Sequence, residues 1–309
     1  MHKVSFILAA YKTRFLRETI VSILSQTYRD FELVVVDDCS PEDMKSVVDQ
    51  FSDDRVSYHR NESNIGGHDL VEAWNEAMKF ARGEFVILAS DDDVYAPTYL
   101  EEMIVLSERY PEVNIYHCRI GAIDSSGEII WVGAPRSEYE TPAEMFYHTV
   151  ISGIQLRAPD VMFRANALSA IGGFVNFPKA WYSDIATWVS LAESNGACCA
   201  RDVLFYWRES GENISNQFGD VGLKIAASNS FIKFALQFLE RINPRSKIDE
   251  FMIEDSRRRL NSTVENQLRY MMRMAPLRCW VIGISNSCLS CKCKLKMFLD
   301  KLKMIIIGR

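Results

Sequence analysis

Three consecutive carboxylates, Asp91-Asp92-Asp93, follow the apolar run Phe85–Ala89 after the single residue Ser90. Adjacent acids repel, so they are stable either on a solvated turn or where a cation offsets them. Hard oxygen donors of this kind suit Mg2+ or Mn2+, which bind through one or two carboxylates and complete their shell with phosphate oxygens and water. A second acidic pair, Asp37-Asp38, closes another apolar run, Phe31–Val36. The chemistry open to these residues is the binding of a metal–phosphate group. The alternative is two ordinary solvated turns.

The elements around the acids bear on that choice. Residues 4–10, 31–36, 55–60 and 84–89 are short apolar or β-branched runs bounded by polar residues, as buried parallel strands are. Amphipathic helices are expected between them at about 14–26, from Ser40-Pro41, and over 68–82, with another over 97–109; Thr13 and Ser40 are the expected N-caps of the first two. A β-α-β-α-β-α-β-α order implies a parallel sheet with helices on both faces and ligands at the carboxyl ends of its strands. Both acidic clusters fall at such ends, which weighs against two unrelated turns. Beyond residue 110 the expected elements are strands around a turn at Asp124–Gly127, a short helix at 142–149, a strand at Val161–Arg164, a tight turn at Gly172-Gly173-Phe174, a helix to about Ser194 capped by Ser183, and an extended segment at 197–207.

Composition bounds the reading without naming a chemistry. The 309 residues are 48% hydrophobic and 25% charged, an ordinary globular balance, and no run approaches the roughly 18 apolar residues of a membrane span. The eight cysteines include the adjacent pair Cys198-Cys199 and fit reduced thiols. With no signal-peptide layout at Met1–Ser5, a cytoplasmic location is expected. The net charge of −6 is unevenly distributed. Residues 1–218 carry 18 Lys and Arg against 33 Asp and Glu, whereas residues 219–309 carry 17 against 8. This basic region contains Arg257-Arg258-Arg259, which is either a phosphate-binding cluster or a solvated helix face, and it ends in alternating lysines and apolar residues. That composition suits a helical region lying on a membrane surface, or docked on the body with its lysines in solvent.

Four blocks together carry a resemblance: Val4–Tyr11 (VSFILAAY), Ser22–Ser40 (SILSQTYRDFELVVVDDCS), Asn64–Gly66 (NIG) and Ala81–Asp93 (ARGEFVILASDDD). In order and spacing they resemble the inverting GT-A glycosyltransferases of family two that build bacterial polysaccharides. The likeness is dense over residues 1–110, looser to about 216 and absent beyond.

The resemblance implies an α/β fold of the GT-A nucleotide-diphospho-sugar transferase type, a Rossmann-like mostly parallel sheet with flanking helices, followed by a C-terminal helical region. It implies a catalytic domain over 1–216, with a nucleotide-binding half at 1–110 and an acceptor half at 111–216; beyond the likeness, composition marks 217–309 as a basic amphipathic helical region in possible contact with a membrane. The implied reaction moves a sugar from a nucleotide-sugar donor, a UDP-sugar first, to a hydroxyl of a growing lipid-linked surface glycan of O-antigen or capsule type. No nucleic-acid partner is expected.

On that resemblance Ala9, Tyr11, Asp38, Asn64, Gly66 and Asp91 are donor-binding residues, with Tyr11 stacking on the base, Asp38 accepting from it and Asp91 facing the ribose. Asp92 and Asp93 are the metal ligands for Mn2+ or Mg2+, Asp92 foremost. Asp184, ten residues beyond Gly172-Gly173-Phe174, is the general base for the acceptor hydroxyl. The chain departs from the family in two places. Ala9-Ala10-Tyr11-Lys12 stands where the family reads Pro-Thr-Tyr-Asn, and Ser210 stands at a loop His that supplies a further metal ligand, leaving Glu209 or Glu212 as substitutes. A sugar-phosphate nucleotidyltransferase is the competing enzyme class, but residues 8–15 lack the glycine-rich loop it requires. A non-catalytic scaffold subunit is the third reading, favoured only by Ser210.

Overall fold

The computed structural model describes residues 2–154, 156–211, 220–274 and 289–307. Its centre is a ten-stranded sheet in the order β3-β2-β1-β4-β9-β6-β10-β5, with β7 added on β6 and β8 on β10. Strands β1 (Val4–Ala10), β2 (Phe31–Asp37), β3 (Val56–Arg60) and β4 (Phe85–Ser90) pair in parallel. β9 (Val161–Arg164) runs antiparallel between β4 and β6 (Ile115–Ile123), and β10 (Ala197–Arg208) runs parallel to β6. The carboxyl ends of β1, β2, β4, β6 and β10 therefore share one edge.

Period-two alternation decides which helices cover which face. Phe6, Leu8, Leu33, Val35, Ile87 and Ala89 point to one side, where they pack with Leu16, Ile20 and Ile23 of α1 (Leu16–Leu24) and Leu100, Met103 and Ile104 of α4 (Tyr99–Arg109). Ile7, Val34, Val36, Val86 and Leu88 point to the other side. They join Val71 and Ala77 of α3 (Leu70–Met78) and Trp188 and Val189 of α7 (Ser183–Ala192). The same cluster takes in Phe231 and Phe238 of α8 (Val221–Arg241), Leu260 and Val264 of α9 (Lys247–Met274), and Met297 of α10 (Cys291–Ile307). The remaining elements are α2 (Met44–Val48), α5 (Pro142–Phe146), α6 (Ala165–Ala170), β5 (Val94–Tyr95), β7 (Ile129–Val132) and β8 (Tyr139–Glu140).

Three expected helix starts are displaced. Thr13 does not cap α1; its N–H and hydroxyl both donate to Glu42, and α1 begins at Leu16 without a side-chain cap. Ser40-Pro41 opens a turn instead of a helix. The Ser40 hydroxyl donates to the Tyr11 carbonyl, and α2 is capped by Asp43, which accepts from Ser46 N–H. Ser183 is the first residue of α7, and the cap position belongs to Tyr182. In each case a tertiary partner takes the polar group that local capping would use.

The basic C-terminal region is largely engaged within the chain. Arg257 donates to the Leu239 carbonyl at 2.6 Å, and Arg258 and Arg259 pair with Asp255. These bonds favour the structural reading of the arginine run over the phosphate-binding one. Arg269 bridges α9 to Asp300 of α10 at 2.6 Å. Leu295, Phe298 and Leu299 remain exposed on α10 beside Lys292, Lys294 and Lys296. No helix among the described residues is long and apolar enough to cross a membrane.

Candidate active site

The acidic turn is fastened from both sides of the sheet. Asp91 closes the β1–β4 edge: its Oδ2 accepts from the N–H groups of Tyr11 and Lys12, each at 2.7 Å. Asp93 turns inward, is 1% exposed, and accepts from Arg208 N–H at 2.9 Å. Burial drives its carboxyl well above the usual range. Asp93, expected as a metal ligand, thus ties the turn to β10 through its carboxylate. Asp92 lies between the two anchors. Burial, then the charge of Asp91, raises its carboxyl to about 6, against the pull of Lys12 and Arg208. An acid held in that state is poised to gain from a neighbouring cation.

Arg208, assigned no role from the sequence, is the residue that knits this edge. It is 1% exposed at the end of β10. Its Nε donates to the Asp92 carbonyl at 2.8 Å and its Nη1 to the Asp124 carbonyl at 3.1 Å, and Nη2 pairs with Glu18 of α1 at 2.7 Å. The guanidinium also stacks 4.3 Å from the Phe15 ring. Five donors in a planar fork suit one side chain to so many acceptors. In sequence Arg208 only opens the polar loop after the 197–207 segment; the structure ends β10 on it, and its partners are set by tertiary pairing.

The second cluster divides its labour. Asp37 is fully buried and accepts from Tyr58 Oη at 2.6 Å, Ser40 N–H at 2.7 Å and Arg60. Asp38 shapes the next loop, accepting from Asn61 Nδ2 at 2.7 Å, Ile65 N–H at 3.0 Å and Gly66 N–H at 2.6 Å. A Cβ on Gly66 would sit 2.9 Å from Asp38 Oδ2, so the close approach requires glycine. Asn64 completes the turn by accepting from Gly67 N–H at 2.7 Å. Ala9 lies between Val36 and Ser90 in the sheet, and Tyr11 projects beyond the strand end, 39% exposed. The six residues expected to hold a donor thus line the ends of β1, β2 and β4 and the loop that Asp38 organises.

Asp184 is brought in by a separate assembly. Gly173 has φ +95 and its turn docks on α3, where Phe174 N–H donates to Asn75 Oδ1 at 2.9 Å. Phe177 N–H then donates to Ser183 Oγ at 3.0 Å, and Val175 N–H to Thr187 Oγ1 at 2.9 Å, which fastens the turn to the head of α7. Tyr182 adopts the left-handed conformation at φ 69, an arrangement that surrounding packing must hold in place. Its ring stacks on Phe231 of α8 with centroids 4.4 Å apart, and its hydroxyl bonds Gln267 of α9. The C-terminal helices therefore support the backbone bend that delivers Asp184. Burial raises the Asp184 carboxyl, while Ile185 N–H and Arg157 act against the rise.

Among the described residues no group of three or more His, Cys, Asp or Glu side chains forms a metal cage. Asp92 remains the foremost candidate donor for a cation among the described residues, and Glu212, a candidate substitute ligand, lies outside them. That fits an ion bound chiefly through diphosphate oxygens and water, as Mg2+ and Mn2+ are in many nucleotide sites.

This geometry meets its counterpart in known proteins. The family model for Glycosyl transferase family 2 matches residues 5–166, from β1 through the acidic turn to β9. The chain belongs to glycosyl transferase family 2. That membership sets aside the nucleotidyltransferase alternative. An uncharacterized glycosyltransferase of Rickettsia typhi is 27% identical over 168 residues, 52% of this chain and 51% of that protein. The chain thus matches about half the length of that curated relative. WfaP of Escherichia coli, a UDP-Glc:alpha-D-GlcNAc-diphosphoundecaprenol beta-1,3-glucosyltransferase, is 31% identical over 62% of this chain and 70% of its own. Family membership agrees with the solved fold of S. aureus TarS (residues 1–349, with UDP-GlcNAc), which superposes with TM-score 0.62 at 17% identity, over 99% of this chain and 92% of that one. A mannosyltransferase from Pyrobaculum calidifontis, solved with GDP-Man and Mn2+, superposes at TM-score 0.57 and 15% identity, over 99% and 88%. These likenesses establish the GT-A type of fold for this family 2 member.

Proposed function

We propose that the chain is an inverting glycosyltransferase that moves a sugar from a UDP-sugar to a hydroxyl of a lipid-linked glycan in polysaccharide assembly. One observation carries the reading: at the carboxyl ends of the strands beside Tyr11 and Asp38, Asp92 sits on a turn that Asp91 ties to the end of β1 and Asp93 ties to β10. In this reading Asp184, at the head of α7, is the base for in-line displacement. Support for a UDP-sugar and a lipid-linked acceptor comes from the activities printed for WfaP and its Escherichia coli relative WfgD.

In this reading Tyr11 stacks on the base and Asp38 holds the loop that borders it. Asp91 fixes the β1 end against the β4 end, and Asp92 holds the cation. A bound Mg2+ or Mn2+ supplies Lewis-acid neutralisation of the departing diphosphate. Asp184 takes the proton from the acceptor hydroxyl as that oxygen attacks the anomeric carbon; the new glycosidic bond forms as the sugar–phosphate bond breaks. The exposed apolar face of α10, flanked by lysines, is the proposed membrane contact at the cytoplasmic face.

A panel of UDP-, GDP- and dTDP-sugars with Mn2+ tests the donor class by thermal stabilisation, since a ligand bound to the folded state stabilises by mass action. Stabilisation by UDP-sugars above the others is expected. Equal or absent stabilisation by all of them contradicts the donor assignment.

A further inference from the structure

A cleft of about 80 Å3 opens between α9 and α10, and none of its lining residues is assigned to the reaction. Arg269, Lys292 and Lys296 line it together with Ser262, Asn266 and Glu265. Bonds between the two helices fix its walls. Arg269 Nε donates to Asp300 Oδ2 at 2.6 Å, and its Nη1 donates to Asn266 Oδ1 at 3.4 Å. Those two bonds leave further donors of the planar fork for a ligand. Glu265, the one acid on the lining, accepts from the N–H and the hydroxyl of Ser290 at 3.0 and 2.9 Å, and the Ser290 hydroxyl accepts from Cys293 N–H at 3.1 Å. Its carboxylate thus holds the head of α10 on α9. Lys292 and Lys296 are exposed and pair with no carboxylate among the described residues. The cleft adjoins the apolar face of α10. Lys292 and Leu295, like Lys296 and Leu299, stand three residues apart and are neighbours on the helix surface. Both leucines are exposed. Lys294 is not on the cleft; it stands four residues before Phe298, on the other flank of the apolar stripe.

We propose that the α9–α10 cleft binds the phosphate of an anionic phospholipid headgroup, held by Arg269, Lys292 and Lys296 while Leu295 and Leu299 enter the acyl boundary. The inference rests on the reading of α10 as the membrane contact. A guanidinium and two ammonium groups around one small space suit phosphate oxygens, which accept short charge-assisted bonds. A free phosphate would use the cations and leave the leucines in water. A phospholipid uses both, because lysine stems lie along apolar surface and keep their heads at the level of the phosphates. Arg269 distinguishes the cleft from diffuse attraction to a charged surface. Half-buried and tied to Asp300, it offers donors in a fixed place, and so binds a phosphate at one position instead of anywhere over the face.

The test is sedimentation of the full chain with vesicles of phosphatidylcholine alone and of phosphatidylcholine with about 30% phosphatidylglycerol. K296Q and K294Q each remove one lysine from α10, the first on the cleft and the second across the apolar stripe from it. Wild type is expected to prefer the anionic vesicles. K296Q should weaken that binding about 10-fold and K294Q less than about threefold, with both melting temperatures unchanged. Equal wild-type binding to the two vesicle types, or equal weakening by K294Q and K296Q, overturns the site while the membrane contact stands. Absence of wild-type binding to either vesicle overturns both. Inorganic phosphate at about 10 mM and matched ionic strength is expected to leave the melting temperature within about 1 °C. Stabilisation by it that K296Q abolishes would give the cleft to a soluble phosphate and overturn the lipid assignment.

Discussion

Asp93 and Arg208 are 115 residues apart in sequence and joined by a 2.9 Å bond from the Arg208 N–H to Asp93 Oδ1. The same arginine reaches back to the Asp92 carbonyl, so backbone and side chain of one residue clamp two of the three acids. The N-terminal strands thus present the acidic turn, while β10 sets its orientation.

Replacing Asp93 tests the clamp. D93A leaves a buried N–H unpaired, which costs about 1–3 kcal/mol. The urea midpoint should fall with the m-value unchanged, whereas D92N should show no such fall. Unchanged stability in D93A would mean that Arg208 finds its anchor elsewhere.

Asp92 offers a pH test with a definite sign. Its folded carboxyl stands at about 6, above the unfolded value of 3.8. Such a group favours the folded state below about 3.8, and that contribution is lost as pH rises through 6. Without metal, D92N should therefore be more stable than wild type at pH 7, by about 1–2 kcal/mol after solvent screening, and equal to it at pH 3.8 or below. Mn2+ with UDP should raise the wild-type melting temperature at pH 7 more than at pH 5, and D92N should lose most of that effect.

A buried charge cluster behind β10 is a separate stability determinant. Glu140 is fully buried and paired with Arg136 and His148. Although burial opposes it, His148, then Arg136, brings its carboxyl down to about 2. That contribution is present above pH 4.5 and is lost as pH falls through 2. E140Q leaves Arg136 short of its partner and should cost about 3–5 kcal/mol, seen as a lower melting temperature at pH 7 with the deficit shrinking toward pH 2.

The exposed face of α10 supplies a binding test. Leu295, Phe298 and Leu299 are each more than 40% exposed. Sedimentation with vesicles containing anionic lipid is expected for wild type and should drop several-fold in a triple Glu variant whose melting temperature is unchanged. Equal sedimentation of the two would exclude this face as the membrane contact.

The periodic part of the fold was legible in the sequence because β1, β2, β4 and the helices between them announce themselves by apolar spacing. Motif order singles out Asp91, Asp92, Asp38 and Asp184 as candidates. What the sequence hid was long-range. Nothing local to Asp93 shows that a residue of β10 will bond it, and nothing near Thr13 or Ser40 shows that Glu42 and Tyr11 will claim their polar groups. Arg208 gives no sign in sequence of its partners, which appear only when β10 meets the acidic turn. The C-terminal helices read as a basic appendage, yet Phe231 and Gln267 hold the left-handed Tyr182 that precedes Asp184.

The most direct test of the central claim is the rate of UDP release from a UDP-sugar with Mn2+, compared among wild type, D92N and D184N at matched folded concentration. The account predicts measurable release by wild type, a loss of about 100-fold or more in each variant, and weakened UDP–Mn2+ stabilisation in D92N alone. Normal release by D184N, or release by neither wild type nor variants with any nucleotide sugar, would contradict it.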